Sequence, residues 1–228
     1  GEYFPAFFSY TLRTKVTGVF KVTLMHSPLN INNQKQLFID DYCIAELHGV
    51  RRRLNQAAKH PANPVLTSEM PWEKTYVQLY GNVLFDTNQQ QFRMWYSARD
   101  ADRTNTICHA TSADGIHWER SRLQLIHYPG CEWSNALIKG QYIGPTVFHT
   151  PDDPDPQRHY RMFTYMGPEL LNVEDRKTAF GHAYGILFSP DGIHWTEYEN
   201  NPVIQGGDIA TCFYDPVSRE YFAFHKIH

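Results

Sequence analysis

Short apolar stretches, several alternating with polar residues, follow one another along most of this chain, separated by clusters of Asp, Asn, Gly and Pro. That is the rhythm of strands and turns, and runs with the 3.6-residue period of helices are nearly absent. Residues 82–98, NVLFDTNQQQFRMWYSA, read as a short apolar strand, a polar turn containing Asp, and a second strand. Residues 146–166, TVFHTPDDPDPQRHYRMFTYM, repeat that order, with Phe92-Arg93-Met94-Trp95-Tyr96 set against Tyr160-Arg161-Met162-Phe163-Thr164. A third strand follows in each case, TICHATS at 106–112 and AYGILFS at 183–189. The tail, TCFYDPVSREYFAFHKIH, begins the sequence of strands again.

Both third strands run into the same heptad, SADGIHW at Ser112–Trp118 and SPDGIHW at Ser189–Trp195. Asn82 to Thr146 is 64 positions, Thr146 to Thr211 is 65, and Trp118 to Trp195 is 77. The last interval is longer because the second copy carries the insertion GPELLNVEDRKTAFGH. NPVL at 63–66 and NPVI at 201–204 are a further echo, each following an outer strand and preceding a new unit. Units of three or four strands repeating at ~40–65 residues indicate propeller blades rather than a sandwich.

Residues 37–60 then read as a worn blade, its strand LFIDD standing where NVLFD stands, and residues 7–25 as an alternating hairpin turning near Thr17-Gly18. The expected organisation is an N-terminal hairpin or lead-in over 1–30 and an all-β, partial β-propeller over 31–228 with about three to four blades. A truncated chain is expected from that count, its open blade edges paired by a second copy in a homo-oligomer. The heptad suits a tight turn: Asp accepts backbone N–H bonds, Gly supplies a positive φ, Ser caps, and Trp folds back as an apolar plug between blades. His117 and His194 belong to that turn as well. The repeated residues are therefore scaffold rather than chemistry.

Composition narrows the partners. A net charge of −3 with scattered Lys and Arg gives no electrostatic footprint for nucleic acid. No apolar run is long enough to span a membrane as a helix. The N-terminus lacks the charged start and apolar stretch of a signal peptide, so the compartment stays open. Cys43, Cys108, Cys131 and Cys212 are isolated, and Cys43, Cys108 and Cys212, in apolar, strand-like surroundings, read as buried free thiols rather than disulfides. No Gly-rich phosphate loop, G-x-S-x-G elbow or HExxH stands in the chain. The acidic stretch TPDDPDPQRH at 150–159 allows a structural calcium, but its prolines suit a rigid connecting turn better. No other cofactor is expected.

With the heptads, the NPV segments and GHAYGILFSPDGIHW in view, the chain resembles the five-bladed β-propeller glycosidases. These are the β-fructosidases and arabinanases, with their bacterial relatives described as glycosyl hydrolase family 32 N-terminal domain-like. Their blades end in SxDGxxW or SxDLxxW, matched at 112–118 and 189–195, and the resemblance covers roughly 37–228. It implies hydrolysis of an oligo- or polysaccharide by carboxylates on the innermost strands, around the propeller axis. Asp40 or Asp41 in FIDDYCI would be base or nucleophile. Asp208 in QGGDIATCF would be the orienting acid, although the Arg and Pro of the fructosidase Arg-Asp-Pro motif are missing.

The general acid of the arabinanase pattern would precede Gly-Pro, where this chain has Ile143, and the fructosidase Trp-Met-Asn-Asp-Pro-Asn-Gly motif has no counterpart. Glu73 in PWEKTYVQLYG is the substitute, with Trp72, Tyr80 and Trp133 as aromatic platforms for sugar faces. Two other readings stand beside this one. A non-catalytic carbohydrate-binding propeller fits the missing acid motifs, and a hydrolase of another class, such as an esterase, is open to any scaffold.

Overall fold

A computed structural model describes residues 37, 39–171, 182–206, 210–215 and 217–225. The chain divides into two compact units, 1–57 and 58–228. The hairpin expected at 7–25, and the boundary expected after residue 30, lie outside the described residues.

In the first unit, and on to residue 60, the described residues form bends and turns up to residue 49 and irregular chain beyond it, with no strand. The worn blade expected over 37–60 is therefore not built there. Asp40 accepts from the Tyr42 backbone N–H at 3.0 Å, and the Ile44 N–H donates to the Asp41 carbonyl at 3.0 Å. Those local bonds fold IDDYCI into a turn, where a strand would need a partner edge.

In the second unit the strands fall where the alternation places them. The first sheet contains β1 (Tyr76–Gln78), β2 (Val83–Asp86), β3 (Gln91–Arg99), β4 (Asn105–Ser112), β5 (Glu119–Arg120) and β6 (Ala136–Lys139). Here β1 and β2 form one interrupted strand along β3, β3 pairs β4, and β5 and β6 share the far side of β4, all antiparallel. The second sheet contains β7 (Tyr142–His149), β8 (Tyr160–Met166), β9 (Ala183–Ser189), β10 (Thr196–Glu197) and β11 (Ile204–Gln205). Its order is the same: β7 on β8, β8 on β9, then β10 and β11 along the far side of β9. NPVI thus enters the outer strand of this sheet instead of standing between units. A third sheet begins as the hairpin of β12 (Ala210–Asp215) and β13 (Glu220–His225). Two four-layer meanders and the start of another are successive blades of a β-propeller, so the fold is all-β and incomplete in this chain, as the repeat indicates.

The heptads close both blades in nearly the same geometry. The Ser112 hydroxyl accepts from the Gly115 N–H at 2.9 Å, and Asp114 Oδ1 accepts from Ile116 and His117 N–H, each at 2.8 Å. The second turn matches, with Gly192 N–H to Ser189 at 2.8 Å, and Ile193 and His194 N–H to Asp191 at 2.8 and 2.9 Å. Gly115 and Gly192 sit at φ of 76° and 77°, which a side chain disfavours. Trp118 and Trp195 fold back on their own turns, each donating to its glycine carbonyl at 3.1 Å.

Trp195 packs half-buried against the seam between the first two sheets, and the fully buried plug there is a different tryptophan. Trp95 of β3 is fully buried and donates from Nε1 to the Gly192 carbonyl of the next blade at 2.8 Å. Beside it, Arg93 donates to the Asp191 carbonyl and to the Tyr160 hydroxyl, both at 2.9 Å. One blade on, Arg161 donates to the Tyr221 hydroxyl at 2.9 Å. A repeated Arg-to-Tyr bond therefore fastens each sheet to the next. Asn82 adds a clamp, donating to the Val147 carbonyl and accepting from its N–H, both at 2.8 Å. Trp95, Val147, Tyr160, Met162 and Leu187 fill the seam between the first two sheets.

Candidate functional site

Pro71 opens a short 3₁₀ turn, Pro71–Glu73, that leads into β1. Its fixed φ and missing N–H suit that first position. The Glu73 side chain reaches back and accepts from the Glu69 and Met70 backbone N–H groups at 3.0 and 3.2 Å, which closes the turn. This places Trp72 and Glu73, both with no exposed surface, against the inner part of the first sheet.

Glu73 is held from every side. Its Oε1 accepts from the Tyr96 hydroxyl at 2.7 Å and from Arg120 Nε at 2.9 Å, and its Oε2 accepts from Arg120 Nη2 at 2.8 Å. Arg120, two residues beyond the first heptad, also donates to Glu69 Oε2 at 3.1 Å and to the Thr67 carbonyl at 2.6 Å. The Tyr96 oxygen in turn accepts from Asn135 Nδ2 at 2.6 Å, and Asn135 Oδ1 accepts from Trp72 Nε1 at 2.8 Å. Burial alone would raise the Glu73 pKa. The bonds from Arg120, the Glu69 N–H and Tyr96 outweigh it and hold the carboxyl below its ordinary value. Such a group is a fixed anion, not a proton donor near neutral pH. The general-acid role expected for Glu73 is at odds with this environment.

Trp72 is likewise closed to a sugar. Its ring lies against Tyr128 at 4.8 Å and edge-on to Trp133 at 6.3 Å, sealed inside the core, so it presents no face to a sugar. Trp133 is half-buried with the Arg122 guanidinium 5.3 Å over its ring. Tyr80, in the interruption between β1 and β2, is 43% exposed and is the open aromatic of the three. Of the expected site residues, the structure thus brings Trp72, Glu73 and Trp133 into one network.

Asp40 and Asp41 belong to the first unit and are exposed. Arg52 donates to the Asp40 carbonyl at 3.0 Å and forms an ion pair with the Asp41 carboxylate. Asp208 lies outside the described residues.

A pair formed by buried His109 and half-buried Ser121 bears on the esterase reading. His109 Nδ1 is 2.7 Å from the Ser121 hydroxyl, and its Nε2 is 3.2 Å from Arg93 Nε. Arginine only donates, so Nε2 is the acceptor and Nδ1 carries the hydrogen toward Ser121. Burial, reinforced by the Arg93 charge, lowers the ring to about 3. A ring whose proton already points at the hydroxyl cannot draw the hydroxyl's proton away.

Two of the three acids of 150–159 are committed locally. Asp153 accepts from the Asp155 N–H at 3.0 Å and pairs with Arg161, while Asp155 accepts from the Gln157 N–H at 3.0 Å and pairs with Arg158 at 3.2 Å. Among the described residues no group of three His, Cys, Asp or Glu side chains is arranged to hold a metal ion. No disulfide joins the cysteines among the described residues; Cys108 and Cys212 are buried and Cys43 and Cys131 half-buried. No helix among the described residues is long and apolar enough to cross a membrane.

The network residues Tyr96, Arg120 and Asn135 went unflagged in the sequence, because each reads locally as an ordinary strand or turn residue. The inter-blade arginines carried a signal: Arg93 and Arg161 recur at the same place in two buried strands.

No protein-family profile matches the chain, and no curated protein matches it. Among solved structures it is similar to fructan 1-exohydrolase IIa from Cichorium intybus, at 14% identity and a TM-score of 0.43 over 73% of this chain and 30% of that one. It is also similar to exo-β-1,3-galactanase from Phanerochaete chrysosporium, at 14% identity and a TM-score of 0.38 over 70% of this chain and 36% of the other. A third is a glycoside hydrolase at 19% identity and a TM-score of 0.38, over 63% and 41% of the two chains. The chain thus spans well under half the length of these solved proteins.

Proposed function

We propose that this chain is part of a carbohydrate-active propeller that hydrolyses glycosidic bonds of an oligo- or polysaccharide. The observation that carries the reading is the pair of blades closed by matching Ser-x-Asp-Gly-Ile-His-Trp turns, the feature of the chain that resembles the propeller glycosidases. Asp40 or Asp41 acts as base or nucleophile, and Asp208 orients the substrate or stabilises charge in the transition state. Tyr80 offers the ring for stacking on a sugar face. The proton donor comes from outside the Trp72–Glu73 network, whose carboxylate is already bound to Arg120. A separation of ~5–5.5 Å between the two working carboxyls would retain configuration, and ~6.5–9.5 Å would invert it.

A second reading, carbohydrate binding without turnover, draws support from the same enclosure of Glu73. A screen of aryl glycosides and polysaccharides, followed by Asp40→Asn, Asp41→Asn and Asp208→Asn, separates the two. Hydrolysis reduced at least ~100-fold by one of these substitutions supports the catalytic assignment. Full activity in all three variants removes it. Saturable retention on a glycan array with no turnover favours the binding reading.

A further inference from the structure

Three residues lie side by side across the end of the first sheet. Tyr76 of β1, Arg99 of β3 and Asn105 of β4 are register partners, and partners in register share a face. Gln141, just before β7, extends the row toward the second sheet. Two positions back along β3, the Ser97 hydroxyl accepts from the Gly144 N–H at 2.9 Å. The row therefore stands at the rim of the seam between the two four-layer sheets.

Arginine only donates, which fixes the direction of the bonds in the row. Asn105, with no exposed surface, accepts at Oδ1 from Arg99 Nε at 2.7 Å and from the Tyr76 hydroxyl at 2.9 Å. Its Nδ2 then faces Gln141 and donates to Gln141 Oε1 at 3.1 Å. The Arg99 guanidinium also lies 5.0 Å over the Tyr76 ring, so the fork is held in place. The donors left over are the two Arg99 Nη groups and Gln141 Nε2. They reach solvent, since among the described residues only Thr146 Oγ1 and Arg161 Nε are buried side-chain atoms without a partner.

Arg93, Arg120, Arg158 and Arg161 each face a carboxylate, and Arg99 faces none among the described residues. Asp100, its neighbour in sequence, accepts from the Thr104 N–H at 2.8 Å and stands 3.9 Å from Lys139. Glu169, exposed beside Gly167, makes no hydrogen bond or ion pair among the described residues, so it does not hold these donors. A guanidinium fork matches the two oxygens of a carboxylate, in bonds about twice as strong as neutral ones. Burial raises the Tyr76 pKa, the Arg99 charge lowers it and Tyr80 raises it, which puts the exposed Tyr80 ring within electrostatic reach of the row. Resting on the glycosidase reading, we propose that the saccharide this chain acts on is acidic. A uronate carboxylate pairs with Arg99 and Gln141 while a sugar ring stacks on Tyr80.

Saturation-transfer NMR and calorimetry on the full chain test this with trisaccharides of galacturonate, glucuronate and mannuronate and the methyl ester of each. The ester removes the charge and keeps the sugar. At least one acid is expected to bind about 10-fold or more tighter than its ester. Arg99→Gln should remove that preference, and Arg99→Lys, which keeps the charge without the fork, should weaken it several-fold. Gln141→Glu still accepts from Asn105 and brings its own carboxylate to Arg99, so it should abolish the preference even where Arg99→Gln fails to fold. Equal binding of every acid and its ester, acetate or inorganic phosphate binding as tightly as the trisaccharides, or a preference unchanged in Gln141→Glu would overturn the assignment. These readouts need no turnover. A uronate preference without hydrolysis of any glycoside sinks the catalytic reading and leaves the acidic-saccharide site, whereas turnover of neutral glycosides with no such preference does the reverse.

Discussion

A buried imidazole between an arginine and a hydroxyl is a pH sensor of a particular sign. His109 is neutral in the folded chain because burial first, and the Arg93 charge second, hold its pKa near 3, against an ordinary value of 6.5. Between those values the unfolded chain binds a proton that the folded chain refuses, so stability falls as pH drops from 6.5 toward 3. The slope for one such group approaches ~1.4 kcal/mol per pH unit. Glu73 works in the same direction at lower pH. Its carboxyl is held below the ordinary value, so its contribution is complete above about 4.5 and is lost as pH falls through the lowered value. Urea midpoints measured from pH 7 to 4 should decline in the parent chain. In His109→Gln, which can still donate to Ser121 and accept from Arg93, the decline between pH 6.5 and 5 should be much shallower, from a lower starting stability. An identical decline in both proteins would remove His109 as its cause.

The two heptad turns allow a comparison at the level of the element, because they share geometry and differ in surroundings. A Cβ on Gly115 would meet only the edge of Phe92, at 3.7 Å. On Gly192 it would press on Arg93 Nη2 and Trp95 Cζ2, both at 2.9 Å, the two side chains that dock from the preceding blade. Gly115→Ala should therefore cost about 1–2 kcal/mol, the penalty of a positive φ. Gly192→Ala should cost a further ~1–3 kcal/mol for overpacking the seam. Thermal denaturation of the two variants checks the order, and equal losses would contradict the docking role of the second turn.

What was legible in the sequence follows from where each residue finds its partners. The strands could be read because period-two alternation is a local pattern, and the heptad because Ser, Asp and Gly bond within three positions of themselves. Glu73 and Trp72 could not. Their decisive partners, Arg120 and Asn135, stand 47 and 63 positions away, so an acid beside a tryptophan looked like a site and is a sealed ion pair. Asp40 and Asp41 failed as strand residues for the opposite reason: the local pattern resembles β2, but the turn's own hydrogen bonds take precedence. Tryptophan was legible as a plug, yet the fully buried one between blades is Trp95, with the conspicuous Trp195 half-buried against the same cluster.

At the scale of the whole molecule, three arginines among the described residues tie separate segments together. Arg93 ties β3 to the next blade's strand and turn, Arg161 ties β8 to β13, and Arg120 ties the outer strand β5 to the segment that precedes β1. Glu73 belongs to this scaffold, and we propose that any glycoside chemistry runs through the aspartates. Removing one member of a buried pair costs ~3–5 kcal/mol, so Glu73→Gln should be markedly less stable. The most direct measurement is kcat/KM on an aryl glycoside found by the screen, at a temperature where every variant is folded. Glu73→Gln should keep turnover within a few-fold of the parent chain, with the basic limb of its pH profile unmoved, while Asp40→Asn, Asp41→Asn or Asp208→Asn falls at least ~100-fold. Turnover abolished in folded Glu73→Gln, with all three aspartate variants active, would contradict the account.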